Sequence, residues 1–118
     1  GYGYAKVSEG MRNAWARELT TYLSSRHQIR GLFAVMDIRH APTILDEQLV
    51  EWFSRTGKPI HVLLTKSDKL KRTQIQSQLK AVSDILSSHY VQVTVQVFSS
   101  LNRAGLDEAR AKLVSWLT

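Results

Sequence analysis

Three short runs, Leu32–Met36, Ile60–Leu64 and Val91–Phe98, limit most strongly how this chain can fold. The first two are too apolar to keep one face in water and read as strands buried on both sides. The third is rich in β-branched residues, which suit a pleated surface. Helical patterns alternate with these runs. Leu49, Val50, Trp52 and Phe53 form the pattern between the first two, with Asp46 as its cap, Gly57 closing it and Lys58-Pro59 as the turn. Ile75, Leu79, Val82, Ile85 and Leu86 follow Thr73, the expected cap of a long helix. Gly105 leads into a last helix carrying Leu106, Ala109, Leu113, Trp116 and Leu117. Upstream, Gly1–Val7 reads as a loop, and Ser8 caps a helix with Met11, Trp15, Leu19, Tyr22 and Leu23 on one face, running to about Arg26 or His27.

Helix alternating with strand implies the α/β class: a parallel three-stranded sheet with helices on both faces. The 118 residues suffice for one core, so residues 1–118 are expected to form a single domain. Ligands of such sheets bind beyond the carboxyl ends of the strands. Three segments lie there: Asp37-Ile38-Arg39-His40, Thr65-Lys66-Ser67-Asp68 and Ser99-Ser100-Leu101-Asn102.

Composition narrows the chemistry available to these loops. Without cysteine there is no disulfide, thiolate metal site or cysteine nucleophile. No apolar run approaches the roughly 20 residues of a membrane span. The four histidines, His27, His40, His61 and His89, are scattered, and no metal site is expected from them. Asp37 with His40 has no accompanying nucleophile and reads as a structural turn. Trp15, Trp52 and Trp116 sit on apolar helix faces and are expected in the core. A net charge of +6 favours polyanionic partners, or serves as a solvated surface.

The second loop carries the sharper signal. Guanine presents a ring N–H and an exocyclic amino group side by side, and one carboxylate accepts from both; adenine offers no such pair. Asp68 is placed to do this. Lys66 can lay its aliphatic stem along the base plane while its ammonium reaches elsewhere, and the Thr65 hydroxyl can tie the loop together. Taken alone, the four residues fit an ordinary strand-to-helix turn better. After the next strand, however, Ser99-Ser100-Leu101 forms a small-residue turn whose amides can meet the guanine carbonyl. Two neighbouring strand ends would then read opposite edges of one base.

In Gly1-Tyr2-Gly3-Tyr4-Ala5, Met36-Asp37-Ile38-Arg39-His40, Leu64-Thr65-Lys66-Ser67-Asp68-Lys69-Leu70 and Phe98-Ser99-Ser100-Leu101, the chain resembles the EngB (YihA/YsxC) family of bacterial ribosome-biogenesis GTPases. The resemblance covers essentially the whole chain, and its first two segments are the more family-specific. It implies the C-terminal half of a P-loop GTPase (G domain) fold, with residues 1–118 a single partial G domain, the base-binding half of a cytoplasmic protein that binds GTP or GDP; alone, these residues are expected to bind nucleotide weakly or undetectably. By the same resemblance, Thr65, Lys66 and Asp68 match the base-specificity motif and Ser99, Ser100 and Leu101 the last guanine loop. Gly1 matches the glycine closing the family's Asp-x-Pro-Gly motif, whose amide contacts the γ-phosphate. The implied role is a guanine-nucleotide switch in large ribosomal subunit assembly, needed for normal cell division and septation. Ribosomal RNA is the implied partner, and Mg²⁺ a cofactor of the intact parent, its ligands outside this chain.

One departure matters as much. The sequence contains no G-x-x-x-x-G-K-[ST], so the glycine-rich phosphate cradle, its lysine and its Mg²⁺-holding hydroxyl are missing. Phosphoryl transfer rests on those parts, and these residues are not expected to hydrolyse GTP. Lys66, Lys69, Lys71 and Arg72 cluster beside the proposed base site and suit RNA phosphates. An alternative is therefore a non-enzymatic α/β module that binds RNA or protein through its basic face. A flavodoxin-like or receiver-like domain is a weaker third reading, because the acidic cluster that phosphorylation would need after the first strand is missing. With the remaining strands of the family fold absent, Leu32–Met36 is expected to become an exposed apolar edge prone to self-association.

Overall fold

The computed structural model describes residues 29–118; the expected N-terminal loop and helix, Trp15 and Gly1 lie outside them. Three strands form one parallel sheet in the order β1 (Leu32–Asp37), β2 (Ile60–Thr65), β3 (Val93–Val97). Helix α1 spans Ile44–Ser54, α2 Arg72–Ser87 and α3 Leu106–Leu117, with a short 3-10 turn at Ser67–Lys69. The predicted parallel α/β architecture is therefore observed.

The register pairs Leu32, Ile60 and Val93 across the sheet, so residues two apart from these share a face. That face carries Ala34, Met36, Ile60, Val62, Leu64 and Val93, all buried. They pack with Val50 and Phe53 of α1 and Val82 and Leu86 of α2 as the main core. The opposite face is more polar than the apolar runs suggested. There Phe33 meets the Trp116 ring edge-on at 5.0 Å, which brings α3 against the sheet. His61, 2% exposed, sits beside Phe33, with Nδ1 2.7 Å from Thr94 Oγ1 and Nε2 2.6 Å from Gln96 Oε1. Burying a histidine in a sheet is tolerable because both ring nitrogens find partners on the next strand. Val35, on this face of β1, remains 56% exposed.

Three boundaries differ from expectation. Thr43, not Asp46, is the N-cap of α1: its hydroxyl accepts from the Asp46 N–H (3.1 Å), and the Asp46 carboxylate accepts from the Thr43 N–H (2.9 Å). The pair is a reciprocal capping box, which satisfies two otherwise orphaned donors. Lys71, not Thr73, is the N-cap of α2, which starts at Arg72: Gln74 Oε1 accepts from the Lys71 N–H at 2.9 Å, and Thr73 is inside the helix. Strand β3 is shorter than Val91–Phe98, since Val91 is fully exposed and the pairing with β2 begins at Val93. Phe98 still donates its N–H to Leu64 O at 2.8 Å, which carries the β2–β3 alignment into the loops beyond. Among the described residues, no helix is long and apolar enough to cross a membrane.

Candidate functional site

The carboxyl ends of all three strands open on one edge of the sheet, and the register sets Asp37 beside Thr65. Thr65 ends β2 and donates its hydroxyl to Met36 O of β1 at 3.1 Å, so it ties two strand ends together. Lys66 then adopts a left-handed backbone, φ 63° and ψ 32°. A residue with a Cβ adopts this conformation at a cost, so its surroundings must impose it. They do so from both sides: the Ser67 N–H donates to Phe98 O (3.4 Å), and the Lys69 N–H to Lys66 O (3.0 Å). The reversal at Lys66 turns the chain back over the sheet end and sets Asp68 toward the loop after β3.

Asp68 and Ser99 meet there. The Ser99 hydroxyl, fully buried, donates to Asp68 Oδ1 at 2.8 Å. Ser99 is held by its own N–H on Ala104 O (2.9 Å), and its hydroxyl also accepts from the Asn102 N–H at 3.4 Å. The Asn102 side chain in turn accepts from the Ala104 N–H at 3.0 Å, closing the loop on itself. Asp68 Oδ2 keeps Lys69 Nζ at 4.0 Å. One carboxylate oxygen is thereby fixed by a buried donor, and each oxygen retains further acceptor capacity.

Gly105 makes the close approach of this loop possible. Its φ is +81°, and a Cβ there would stand 2.0 Å from Val97 O and 2.7 Å from Gln96 Nε2. Gln96 Nε2 donates to Gly105 O (2.8 Å) and to Val97 O (3.1 Å), so its oxygen is the end that accepts from His61 Nε2–H. The buried His61–Gln96 pair thus anchors the start of α3 and the return of the Ser99–Gly105 loop.

Of the residues singled out from sequence, Thr65, Lys66, Asp68 and Ser99 come together in this geometry. Ser100 and Leu101 lie on the exposed shoulder of the loop, Leu101 being 77% exposed, and among the described residues no acceptor takes their amides. The Ser99 amide, by contrast, is already spent on Ala104. Gly1 lies outside the described residues.

From sequence alone Asp37 reads as a structural turn. Its backbone carbonyl does accept from the His40 and Ala41 amides at 3.1 and 2.9 Å. Its side chain does more: Oδ1 accepts from Arg39 N (2.9 Å) and Nε (3.1 Å), Oδ2 accepts from Arg39 Nη2 (2.8 Å), and Oδ2 lies 3.5 Å from Lys66 Nζ. The Arg39 side-chain bonds, with its backbone N–H and the charges of Arg39 and Lys66, hold the Asp37 carboxyl well below the usual carboxylate range against a smaller opposing effect of burial. Asp37 in turn strengthens the charged form of Arg39, to which the more distant Asp68 charge also contributes. The available signal was positional: an acid ending a strand, an arginine two residues on, and a lysine one step past the paired residue of the next strand.

A parallel sheet with α1 and α2 on one face and α3 on the other, and its loops gathered at the strand ends, is the arrangement of the P-loop GTPases. Translation elongation factor SelB from Methanococcus maripaludis superposes with a TM-score of 0.70 over 85% of this chain and 22% of that one, at 20% identity. A crystal structure of a probable GTP-binding protein EngB gives 0.65 over 98% of this chain and 72% of that one, at 15% identity. At such identities the likeness speaks for the fold. Curated relatives are more alike in sequence. The chain is 47% identical over 116 residues to the probable GTP-binding protein EngB of Nitrosomonas eutropha, covering 98% of this chain and 52% of the relative. It is 48% identical over 118 residues to that of Azoarcus sp. strain BH72, covering 99% and 56%. Over nearly its whole length the chain is similar to the EngB GTP-binding proteins, and it spans about half the length of the curated relatives it matches. No family model matches it.

Proposed function

We propose that the loops after β2 and β3 recognise the guanine base of GTP or GDP, as the base-binding half of a guanine-nucleotide switch. The observation that carries this reading is Asp68, its carboxylate fixed by the buried Ser99 hydroxyl and set beside a loop whose Ser100 and Leu101 amides have no acceptor among the described residues. Asp68 would accept from the ring N–H and exocyclic amine, and the two amides would donate to the carbonyl oxygen on the neighbouring edge. Thr65 holds the strand ends in register beneath them, and Gly1 is proposed for the phosphate end of the site. The relatives' description as GTP-binding proteins supports the reading, as does the fold shared with a SelB structure in complex with the GTP analogue GppNHp.

Phosphate handling is not assigned to the described residues. Asp37 is engaged by Arg39 and Lys66, Asp68 by Ser99, and no group of three or more His, Asp or Glu side chains among the described residues could hold a metal ion. These residues do not fit a Mg²⁺ site, and no hydrolytic step is derived from them. By family, the proposed setting is the cytoplasm and the proposed role large-subunit assembly, with normal cell division depending on it. The exposed Lys69, Lys71 and Arg72 beside the base site suit contact with ribosomal RNA phosphates. They would serve equally in a nucleotide-independent RNA-binding module.

The test is a GDP and ADP titration of the chain at millimolar nucleotide, followed by amide chemical shifts, for the native sequence and Asp68→Ala. Hydrogen bonds to a charged group are worth roughly 1.5–3 kcal/mol each. Asp68→Ala should therefore abolish the preference for GDP. An unchanged preference would sink the base-reading assignment, and nanomolar GDP binding by these 118 residues would contradict the division between base and phosphate binding.

A further inference from the structure

We infer that Asp37, clamped by Arg39, is a positioning residue that anchors the Lys66 ammonium, so that the Lys66 stem forms one wall of the slot in which Asp68 reads the base. The inference rests on the base-recognition reading above. It adds a residue on a different strand to that site.

Three bonds from Arg39, two to Oδ1 and one to Oδ2, hold both oxygens of Asp37, and its side chain is about three-quarters buried. A carboxylate held this way is a fixed point of negative charge. The left-handed backbone at Lys66 starts the side chain from above the end of β2, one residue past the partner of Asp37 in the sheet. From there Nζ reaches Oδ2 at 3.5 Å while 56% of the side chain stays exposed. A lysine stem has several rotatable bonds, and fixing both its ends removes most of that freedom. What remains is an apolar stretch held across the strand ends beside Asp68, the form required to cover one face of a flat base.

The anchor also sorts charges. Arg39, Lys66 and Lys69 all lie close to the two carboxylates. With Asp37 holding Lys66, Asp68 is left with Ser99 as its fixed partner and Lys69 only at 4.0 Å. Removing the Asp37 charge frees Lys66 to pair with Asp68, two residues on in the same loop. Such a pairing would compete with the base donors.

The experiment compares the native chain with Asp37→Asn, Asp37→Glu and Asp68→Ala, first without nucleotide and then with GDP or ADP. In the nucleotide-free chain, NMR relaxation of the Lys66 methylenes should show greater mobility in Asp37→Asn than in the native chain, with partial recovery in Asp37→Glu. Unchanged Lys66 mobility in Asp37→Asn overturns the anchor, whatever the nucleotide does. With GDP, the Lys66 methylene protons should move upfield under the ring current of the base, and this shift should shrink in Asp37→Asn. The affinity of Asp37→Asn for GDP should fall about two- to fivefold, the scale of an exposed ion pair, with GDP still preferred over ADP. Loss of that preference belongs to Asp68→Ala. If Asp68→Ala behaves as expected while Asp37→Asn keeps native affinity and a native Lys66 shift, the base reading stands and the positioning role falls.

Discussion

Replacing Gly105 by alanine tests how tightly the loop after β3 is built. The new Cβ would stand 2.0 Å from Val97 O, 2.7 Å from Gln96 Nε2 and 3.1 Å from the Val97 carbonyl carbon, on a backbone with φ +81°. The left-handed conformation alone costs alanine about 1–2 kcal/mol. The overlap with Val97 is with backbone and has no flexible side chain to yield, so Gly105 itself must move. Two hydrogen bonds move with it, Gln96 Nε2 to Gly105 O (2.8 Å) and Ser99 N to Ala104 O (2.9 Å). At about 0.5–1.5 kcal/mol net for each bond, their loss adds about 1–3 kcal/mol. The sum, about 2–5 kcal/mol, is a large part of the roughly 5–15 kcal/mol that stabilises a small domain.

Gly57 is the internal control. It shares the positive φ, +74°, yet a Cβ there meets nothing within 4 Å. Gly57→Ala should cost only the backbone part, about 1 kcal/mol once the reduced freedom of the unfolded chain is counted. Urea denaturation followed by circular dichroism separates the two. With a slope of about 2 kcal/mol/M, Gly105→Ala should lower the midpoint by about 1–2.5 M and Gly57→Ala by about 0.5 M. A Gly105→Ala midpoint equal to or above that of Gly57→Ala would refute the steric account of the loop.

The remaining expectations concern partners. In filter binding across salt, contact of Lys69, Lys71 and Arg72 with RNA phosphates predicts that replacing all three with alanine flattens the log K against log salt slope by about 2; an unchanged slope removes this surface from RNA contact. Among the described residues β1 is an edge strand that pairs only with β2, with Val35 exposed on one face. We propose that this edge drives dimerisation, strand exchange or aggregation of the chain; light scattering showing a monodisperse monomer at high concentration would count against it.

The sequence alone determined the order of elements and the direction of the strands. Runs such as Leu32–Met36 and Ile60–Leu64, separated by helical periodicity, leave few solutions other than a parallel sheet, because burial pattern and connection length are local properties of the chain. Helix starts were less legible. Thr43 and Asp46 cap α1 as a pair, and Gln74 caps α2 from inside the helix, so reading one polar residue at a time chose the wrong position. The loop after β2 was visible as a motif, and the loop after β3 as a turn of small residues.

Tertiary structure decided what those loops do to each other. Asp68 and Ser99 are 31 residues apart, and their hydrogen bond exists because β2 and β3 are neighbours in register. Asp37 and Lys66 meet for the same reason across β1 and β2. His61, a scattered histidine in sequence, becomes a buried anchor through Gln96 of the next strand, which in turn grips Gly105. Periodicity reports which face a residue presents, whereas a hydrogen bond needs a partner within about 3 Å, and that distance is set only when distant segments pack.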